Sequence, residues 1–407
     1  MNHLCDELRN EISIVLCAPT HKAKLVLQRA TGQEAITLHS LLALTPNLDI
    51  FELDFRDLLF KSDSKKLEIP YKGLVICDEA SMINDDLFKI LLQKCEERYT
   101  KILFISDPAQ LIPVKSEDLS LVYKLPNQFN LTKIFRQSEN NALLPILQGL
   151  RDESVDRLDT CIGDSGSLFC EENSTEFLKK YIQNLKYAIS KSDILETKLT
   201  AFTNARVDQY NKIIKKVLFQ DEYNKLEFLT GCMNFTFNKV KFYNSMDYII
   251  CSDPIKKTIK IPYFDFSLPA WDVELYDSVD GNSANVTILS NEISQDYKNM
   301  LAYTIEDLRI TAIKTKNSRD KAKMWGMYYK MIESFATPFD LTIDGRVIKK
   351  QTFTEGYACT VHRLQGSSFN NIYVDLKNIN TCIDDVVRRQ LQYVALSRTR
   401  KDAYILQ

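Results

Sequence analysis

Glycine and proline are scarce in this 407-residue chain, eleven of each, which excludes collagen-like and linker-dominated architectures. Histidine is scarcer: only His3, His21, His39 and His362 occur. The ten cysteines stand singly between Cys5 and Cys382, with no CxxC pair. A zinc site is therefore not expected, and the thiols read as buried side chains of a reducing compartment. Charge of one sign is lacking too, since 52 basic and 54 acidic residues leave −2. Bulk charge announces no nucleic-acid partner, and any such binding needs a local basic groove. No run approaches the roughly 18–20 apolar residues that span a bilayer. Met1–Asn10 carries Asp6 and Glu7 and no apolar core, so it does not read as a signal peptide. A soluble, cytoplasmic protein is the expectation.

What is present is enough apolar sequence for several cores: 45% hydrophobic against 26% charged residues, over a length that suggests two to three domains. The first third alternates apolar runs with helical patterns, as βαβ units do. Ile12–Cys17, Gly73–Cys77 and Lys101–Ile105 are strand-like. Lys22–Arg29 and Asp85–Arg98 are helical, the second with Leu87, Ile90, Leu91 and Cys95 on one face. Near-continuous apolar strands separated by helices predict a parallel sheet covered on both faces. A second, split α/β unit is predicted from strands at Lys198–Thr203, Asn371–Leu376 and Ala403–Leu406 and a helix at Val386–Leu396. Between its halves, Phe228–Lys350 changes texture. Short alternating runs such as Val240–Phe242, Asp247–Ile250 and Thr258–Ile261 suggest a small all-β insertion followed by a helix around Ser318–Phe335. Leu44–Pro70 reads as a small insertion in the first unit.

Asp78-Glu79-Ala80-Ser81 follows the strand at Gly73–Cys77 directly. Carboxylates at the carboxyl end of a buried strand stand where α/β sheets bind ligands. One can hold Mg²⁺ and the next can activate water, as nucleotide hydrolysis requires; acids also favour a helix N-terminus for purely structural reasons. Ser106–Leu111 follows the next strand one βαβ step later, so both loops emerge on the same edge, where Gln110 could sense a phosphate. Near the C-terminus, His362, Gln365 and Gly366 form a compact polar turn. Arg398 and Arg400 lie just after a helix, where arginines act as surface or cap charges or reach a γ-phosphate. Leu131–Gln137 offers another such arginine, Arg136.

In their order and spacing from about Ile12 to Gln407, these segments resemble the motif series of superfamily 1 helicases, and in particular the Dda-type phage helicases of the RecD-like branch. Ala18–Leu27 resembles motif Ia and Thr37–Leu42 the single-strand-contacting motif after it. DEAS, SDPAQLIPV and LTKIFRQ resemble motifs II, III and IV. Ala201–Asn211 is similar to the next strand and loop of that branch, HRLQGSSF to motif V and YVALSRTR to motif VI.

The resemblance implies an α/β fold of two RecA-like P-loop NTPase-type domains, the first truncated at its N-terminus. It implies domain 1A at 1–130, with a pin-like 1B insertion at about 44–70, domain 2A at 131–230 and 351–407, and an SH3-like β-rich 2B insertion at 231–350. Asp78 would bind Mg²⁺ and Glu79 would be the base for the attacking water. Gln110 would couple the γ-phosphate of ATP to the DNA track, Arg136 and Arg398 would be arginine fingers, and Gly366 would lie at the nucleotide. Thr20, Lys22, Thr37, His39, Thr360 and His362 would contact single-stranded DNA. Phe51 and Phe55 are either wedge aromatics of the pin or its mini-core. Nine basic against four acidic residues within Lys314–Lys350 either line a DNA channel or form a solvated helix face. The implied activity is that of an ATP-dependent DNA helicase, moving 5′ to 3′ on single strands and opening forks or duplexes in replication, recombination or repair. Its partners would include a single-strand binding protein, and its place would be the host cytoplasm if it is phage-encoded.

One family feature is missing. The phosphate loop needs G-x-x-x-x-G-K-[ST], and none of the eleven glycines is followed by lysine. Only eleven residues precede Ile12, so the loop and the strand feeding it are expected upstream of Met1, encoded separately or lost with a misplaced start. That absence would leave two neighbouring strands with unpaired edges. The competing readings are a non-hydrolysing pseudo-helicase that binds single-stranded DNA or a replication partner, and a P-loop ATPase that is not a helicase.

Overall fold

The computed structural model describes residues 11–46, 60–62, 67–113, 119–131, 137–138, 140–155, 157–190, 196–220, 222–277 and 281–407. By packing, the chain divides into two units. One is built from the chain up to Tyr210 and from Ala358–Gln407, the other from Asn211–Tyr357.

The first unit begins with β1 (Ile14–Ala18), α1 (His21–Thr31), β2 (Ala35–Thr37), α2 (Leu38–Leu41), β3 (Leu44–Pro46), β4 (Phe60–Ser62), β5 (Leu74–Cys77), α3 (Asp85–Glu97) and β6 (Lys101–Phe104). Local chemistry sets the helix ends. Thr20 Oγ1 accepts the Ala23 N–H at 3.1 Å to cap α1, and Gly32 ends that helix at φ 65°. Asn84 caps α3 through Leu87 N, with Asp85 and Asp86 in the first turn. The buried face of α3 is Phe88, Leu91 and Cys95. That is rotated slightly from the expected one, with Leu87 and Ile90 only partly buried.

β2, β1, β5 and β6 form one wholly parallel sheet in that order. One face packs a large core that includes Val75, Cys77, Leu91 and Val122, with Ile102 and Phe104 against it. The other face has a smaller one, Leu16, Leu27, Ala35 and Ile76, with Ile105 beside it. The β6 sequence reads as a fully covered strand, yet among the described residues β6 pairs with β5 alone, and Leu103 is 39% exposed. Among the described residues the sheet is contiguous: β1 pairs directly with β5 and β5 with β6, and its edge strands are β2 and β6. In the expected insertion at 44–70, β3 and β4 form an antiparallel pair; Phe51 and Phe55 lie outside the described residues.

The chain continues through α4 (Leu143–Arg151), β7 (Leu168–Glu171), α5 (Ser174–Ser190), β8 (Thr197–Ala201) and α6 (Asn204–Phe219), and leaves for the second unit within α6. There it forms β9 (Phe228–Gly231), β10 (Phe235–Phe237), β11 (Val240–Phe242), β12 (Asp247–Ile250), β13 (Ile255–Lys260), β14 (Ser267–Asp277), β15 (Ser283–Leu289), α7 (Gln295–Lys314), α8 (Ser318–Glu333), β16 (Leu341–Ile343), β17 (Arg346–Lys349) and β18 (Phe353–Glu355). Strands β13, β14, β12, β9 and β18 make an antiparallel sheet, with β15 added on β14. This unit is β-rich but not all-β. The 20-residue α7 was not foreseen, and its buried Leu301, Ala302, Ile305 and Leu308 pack with Met331 of α8 and Phe335 in one core.

The chain returns to the first unit with β19 (Ala358–Thr360), α9 (Val361–Leu364), β20 (Phe369–Asp375), α10 (Leu376–Ile379), α11 (Asp385–Ser397) and β21 (Thr399–Leu406). β19, β8, β20, β21 and β7 form a second wholly parallel sheet. The first unit thus holds two parallel α/β sheets, the expected pair of RecA-like layers.

Candidate functional site

Loops at the carboxyl ends of parallel strands are where open α/β sheets bind ligands, and the sequence motifs sit there. Asp78 follows β5, and its N–H donates to Cys17 O at 2.9 Å, which extends the ladder by one residue. Asp78 Oδ1 then accepts the Glu79 N–H at 2.9 Å. Glu79 adopts the left-handed region, φ 52° and ψ 39°, an uncommon and costly conformation for a non-glycine residue. It persists because Ala80 N is fixed to Ile105 O at 3.0 Å, which ties the turn to the end of the β6 strand. Burial, reinforced by the adjacent Glu79 charge, pushes the Asp78 carboxyl up to about 6.

Arg398 caps the end of α11 and has no exposed surface. Its Nη1 lies 3.9 Å from Glu79 Oε1. One fully buried guanidinium from the second sheet and one nearly buried carboxylate from the first therefore face each other. The late arginine and the early acidic turn share one site.

A second connection joins the same two sheets. Tyr393 OH, on α11, donates to Asp107 Oδ2 at 2.8 Å. Arg151 Nη1, at the end of α4, donates to that oxygen at 3.2 Å and to Tyr393 OH at 2.8 Å. Asp107 Oδ1 accepts the Ala109 N–H at 3.1 Å, and Gln110 N donates to Asp107 O at 3.1 Å. Burial and the Asp107 charge push the Tyr393 phenol up to about 12. Leu111, the residue after the turn, is buried in the core of the second sheet. Gln137, within the motif IV segment, donates to Thr399 O at 2.7 Å. Sequence reasoning did not single out Asp107, Arg151, Tyr393 or Gln137. The only signal was that Asp107, Gln137 and Tyr393 lie inside recognised motifs.

Among the described residues, no group of three or more His, Cys, Asp and Glu side chains could hold a metal ion. Asp78 alone suits Mg²⁺, which commonly takes one or two carboxylates and fills its octahedron with phosphate oxygens and water. Buried polar atoms are normally hydrogen-bonded. Glu79 Oε2, Gln110 Oε1, Gln365 Nε2 and Ser367 Oγ are buried without a hydrogen-bond partner, so the donor and acceptor set fits a polar ligand bearing oxygens and exchangeable protons. Gly366 sits at φ 74° in the turn between Gln365 and Ser367, 3.5 Å from the Ala23 backbone as judged from an added Cβ. The Lys22 ammonium donates to Arg363 O at 3.5 Å. The first turn of α1 thus meets the turn after α9.

The expected DNA-contacting residues take varied positions. The Thr20 and Thr37 hydroxyls cap α1 and α2, and Thr37 Oγ1 also pairs with Ser40 Oγ at 2.9 Å. Thr360 precedes α9 and is buried. His39 and His362 are half-buried, and burial lowers the basicity of both imidazoles. Arg136 and Phe51 lie outside the described residues.

Comparison with known proteins falls at both ends of the chain. Residues 2–170 match the model of an AAA domain, and residues 355–406 that of the UvrD-like helicase C-terminal domain. The ATP-dependent DNA helicase dda of Enterobacteria phage T4 is 28% identical over 61% of this chain and 51% of its own length; the chain thus spans about half of that relative. The ATP-dependent RecD2 DNA helicase of Deinococcus radiodurans is 33% identical over 34% of this chain and 18% of its own. Among solved structures, a Bacteroides Pif1 helicase bound to single-stranded DNA aligns over 99% of this chain and 84% of its own, with 17% identity and a TM-score of 0.49. In sequence, the chain is similar to the ATP-dependent DNA helicases dda and RecD2.

Proposed function

We propose that this chain forms most of an ATP-dependent DNA helicase that moves 5′ to 3′ along single-stranded DNA and opens duplex or forked DNA during replication, recombination or repair. The single observation that carries it is the meeting of Glu79 and Arg398, delivered by two separate parallel sheets. We assign 1–130 to domain 1A, 131–230 with 351–407 to domain 2A, and 231–350 to an inserted domain 2B.

Glu79 takes the proton of the water whose oxygen attacks the γ-phosphorus, as the bond to the bridging oxygen breaks. Arg398, with Arg136, offsets the charge that develops on the phosphoryl oxygens. Gln110 reads the phosphate and, through the Asp107 turn, passes its state to α11. Asp78 would hold a magnesium ion, which would supply charge neutralisation of the phosphates. Gly366 leaves room at the nucleotide. Thr20, Lys22, Thr37, His39, Thr360 and His362 track the DNA strand, with Phe51 at the duplex junction. The 407 residues contain no G-x-x-x-x-G-K-[ST] loop, so the motor needs a phosphate cradle supplied from outside these residues.

That same absence favours a second reading, a pseudo-helicase that binds single-stranded DNA without hydrolysis. DNA-stimulated ATP hydrolysis, measured with and without an added phosphate-loop segment, separates the two. Turnover that appears with the segment and vanishes in Glu79→Gln supports the motor. Salt-sensitive DNA binding with no turnover under either condition supports the binder.

A further inference from the structure

α11 buries one face and lines a cavity with another. Leu391, Val394 and Ala395 belong to the core of the second sheet. Val386, Gln390 and Tyr393, at i, i+4 and i+7, share a neighbouring face and line a cavity of about 590 Å³. Its other walls come from the loop after β6, through Pro108 and Ile112, and from the end of α4, through Leu150. The volume falls within the roughly 300–1,000 Å³ of ligand pockets. Among the described residues that line it are none of Glu79, Gln110 or Arg398.

One polar group in this wall is unsatisfied. Gln390 is 7% exposed, and its Oε1 is buried without a hydrogen-bond partner. A buried acceptor left unpaired is costly and uncommon. Set on the wall of a cavity, it calls for an N–H or O–H donor arriving among apolar neighbours.

The charges at the mouth narrow the choice of occupant. Its two arginines are engaged: Arg389 donates to Glu153 Oε2, and Arg151 to Asp107 and Tyr393. Asp152 accepts the Gln148 side-chain N–H at 2.7 Å and Asp384 the Val387 N–H at 3.0 Å, both neutral donors. Three carboxylates, Asp152, Glu153 and Asp384, thus stand against two engaged arginines. That balance repels a polyanion such as nucleic acid and favours a cation. Apolar surface continues beyond the mouth: Leu119 is 42% exposed, Val386 61% and Ile383, beside Asp384, 96%. A small molecule inside the cavity would leave Ile383 in water, whereas a polypeptide crossing the mouth covers it.

We propose that the cavity beside α11 binds a segment of a partner protein in which apolar side chains are flanked by lysine or arginine. The apolar side chains enter the cavity, a main-chain N–H of the segment donates to Gln390 Oε1, and the flanking cations meet Asp384 and Asp152. The segment lies against Tyr393 and Arg151, which hold Asp107, so its docking bears on the connection between the two parallel sheets. Binding needs neither nucleotide nor hydrolysis, and it stands whatever the ATPase activity of the chain.

The test uses the full chain and a fluorescein-labelled peptide with a Leu-Phe-Leu centre between pairs of lysines. Two controls are a peptide with glutamate pairs instead and one with a Ser-Gly-Ser centre between lysines. Anisotropy at low salt should show one-to-one binding of the first, with both controls about tenfold or more weaker. Val386→Lys, at an exposed position, should weaken binding about tenfold. Asp384→Asn keeps the helix cap and should weaken it about two- to fivefold. Gln390→Leu should weaken it about fivefold without lowering the urea midpoint of the chain. Ile162→Lys, exposed elsewhere in the same unit, should leave it unchanged. Benzoyl-phenylalanine at the centre of the peptide should crosslink to residues 108–112 or 384–393. No binding, equal binding of the glutamate peptide, unchanged affinity in Val386→Lys, or crosslinks confined to other segments would each overturn the proposal. A dimer of the chain that Val386→Lys disperses, or a photoreactive oligonucleotide that labels the same residues, would assign the surface to another occupant and overturn it as well.

Discussion

At the scale of single residues, the facing of Glu79 and Arg398 dominates, because a buried guanidinium and a buried carboxylate are each expensive alone and informative together. With the phosphate-loop segment supplied, Glu79→Gln should cut DNA-stimulated hydrolysis by about 10²–10⁴ while single-strand affinity holds; a variant with normal turnover would remove Glu79 as the base. Arg398→Lys keeps the charge but loses the planar fork. Its turnover should drop by about 10³–10⁵, read in the same assay. Another residue gives a prediction independent of function. Lys349 is buried in the second unit, its ammonium donating to Phe335 O at 3.0 Å and lying 4.8 Å from the Phe335 ring centroid. Burial lowers its pKa to about 7, against about 10.4 in an unfolded chain. Between those values the unfolded state binds the extra proton, so stability is lowest below about pH 7 and rises as pH climbs towards 10. Denaturant midpoints of the second unit should increase across that window, and Lys349→Met should flatten the increase.

At the scale of elements, α11 carries two of the contacts that join the parallel sheets: Tyr393 on Asp107, and Arg398 near Glu79. Tyr393→Phe removes a hydrogen bond to a charged group and should cost about 1.5–3 kcal/mol, measured by urea unfolding of the first unit. In the motor reading it should also lower turnover more than nucleotide affinity. Gly366 sits at positive φ with its nearest prospective Cβ contact at 3.5 Å, so Gly366→Ala should cost about 1–2 kcal/mol through backbone strain alone, checked the same way. The elements were legible in proportion to their regularity. β1, β5 and α11 could be placed because buried parallel strands read as apolar runs and α11 as an amphipathic period. α7 escaped notice although Leu301, Ile305 and Leu308 repeat at helical spacing. Its tyrosines, isoleucines and threonines suit strands as well as helices, and it follows a stretch of real strands. The site was legible only where a motif marks it. Arg151 and Tyr393 stand 44 and 286 positions from Asp107, and nothing local in either predicts that pairing.

At the scale of the whole molecule, both tryptophans, Trp271 and Trp325, belong to the second unit, whereas Glu79, Gln110 and Arg398 belong to the first. Indole fluorescence therefore reports one unit and leaves the other dark. A nucleotide bound at the proposed site at a hundred times its Kd should stabilise the first unit by about 2.7 kcal/mol. That shift should appear in far-ultraviolet circular dichroism and spare the tryptophan transition; an equal shift in both probes would place the ligand or its effect elsewhere. No described helix is long and apolar enough to cross a membrane. Finally, α11 is thirteen residues of continuous helix from Asp385 to Ser397, and such a rod transmits displacement without bending. Asp107 holds its C-terminal half through Tyr393, and Arg398 caps that same end. In the proposed motor, a shift of the loop after β6 would therefore be felt, through this short stretch of helix, by the cation opposite Glu79.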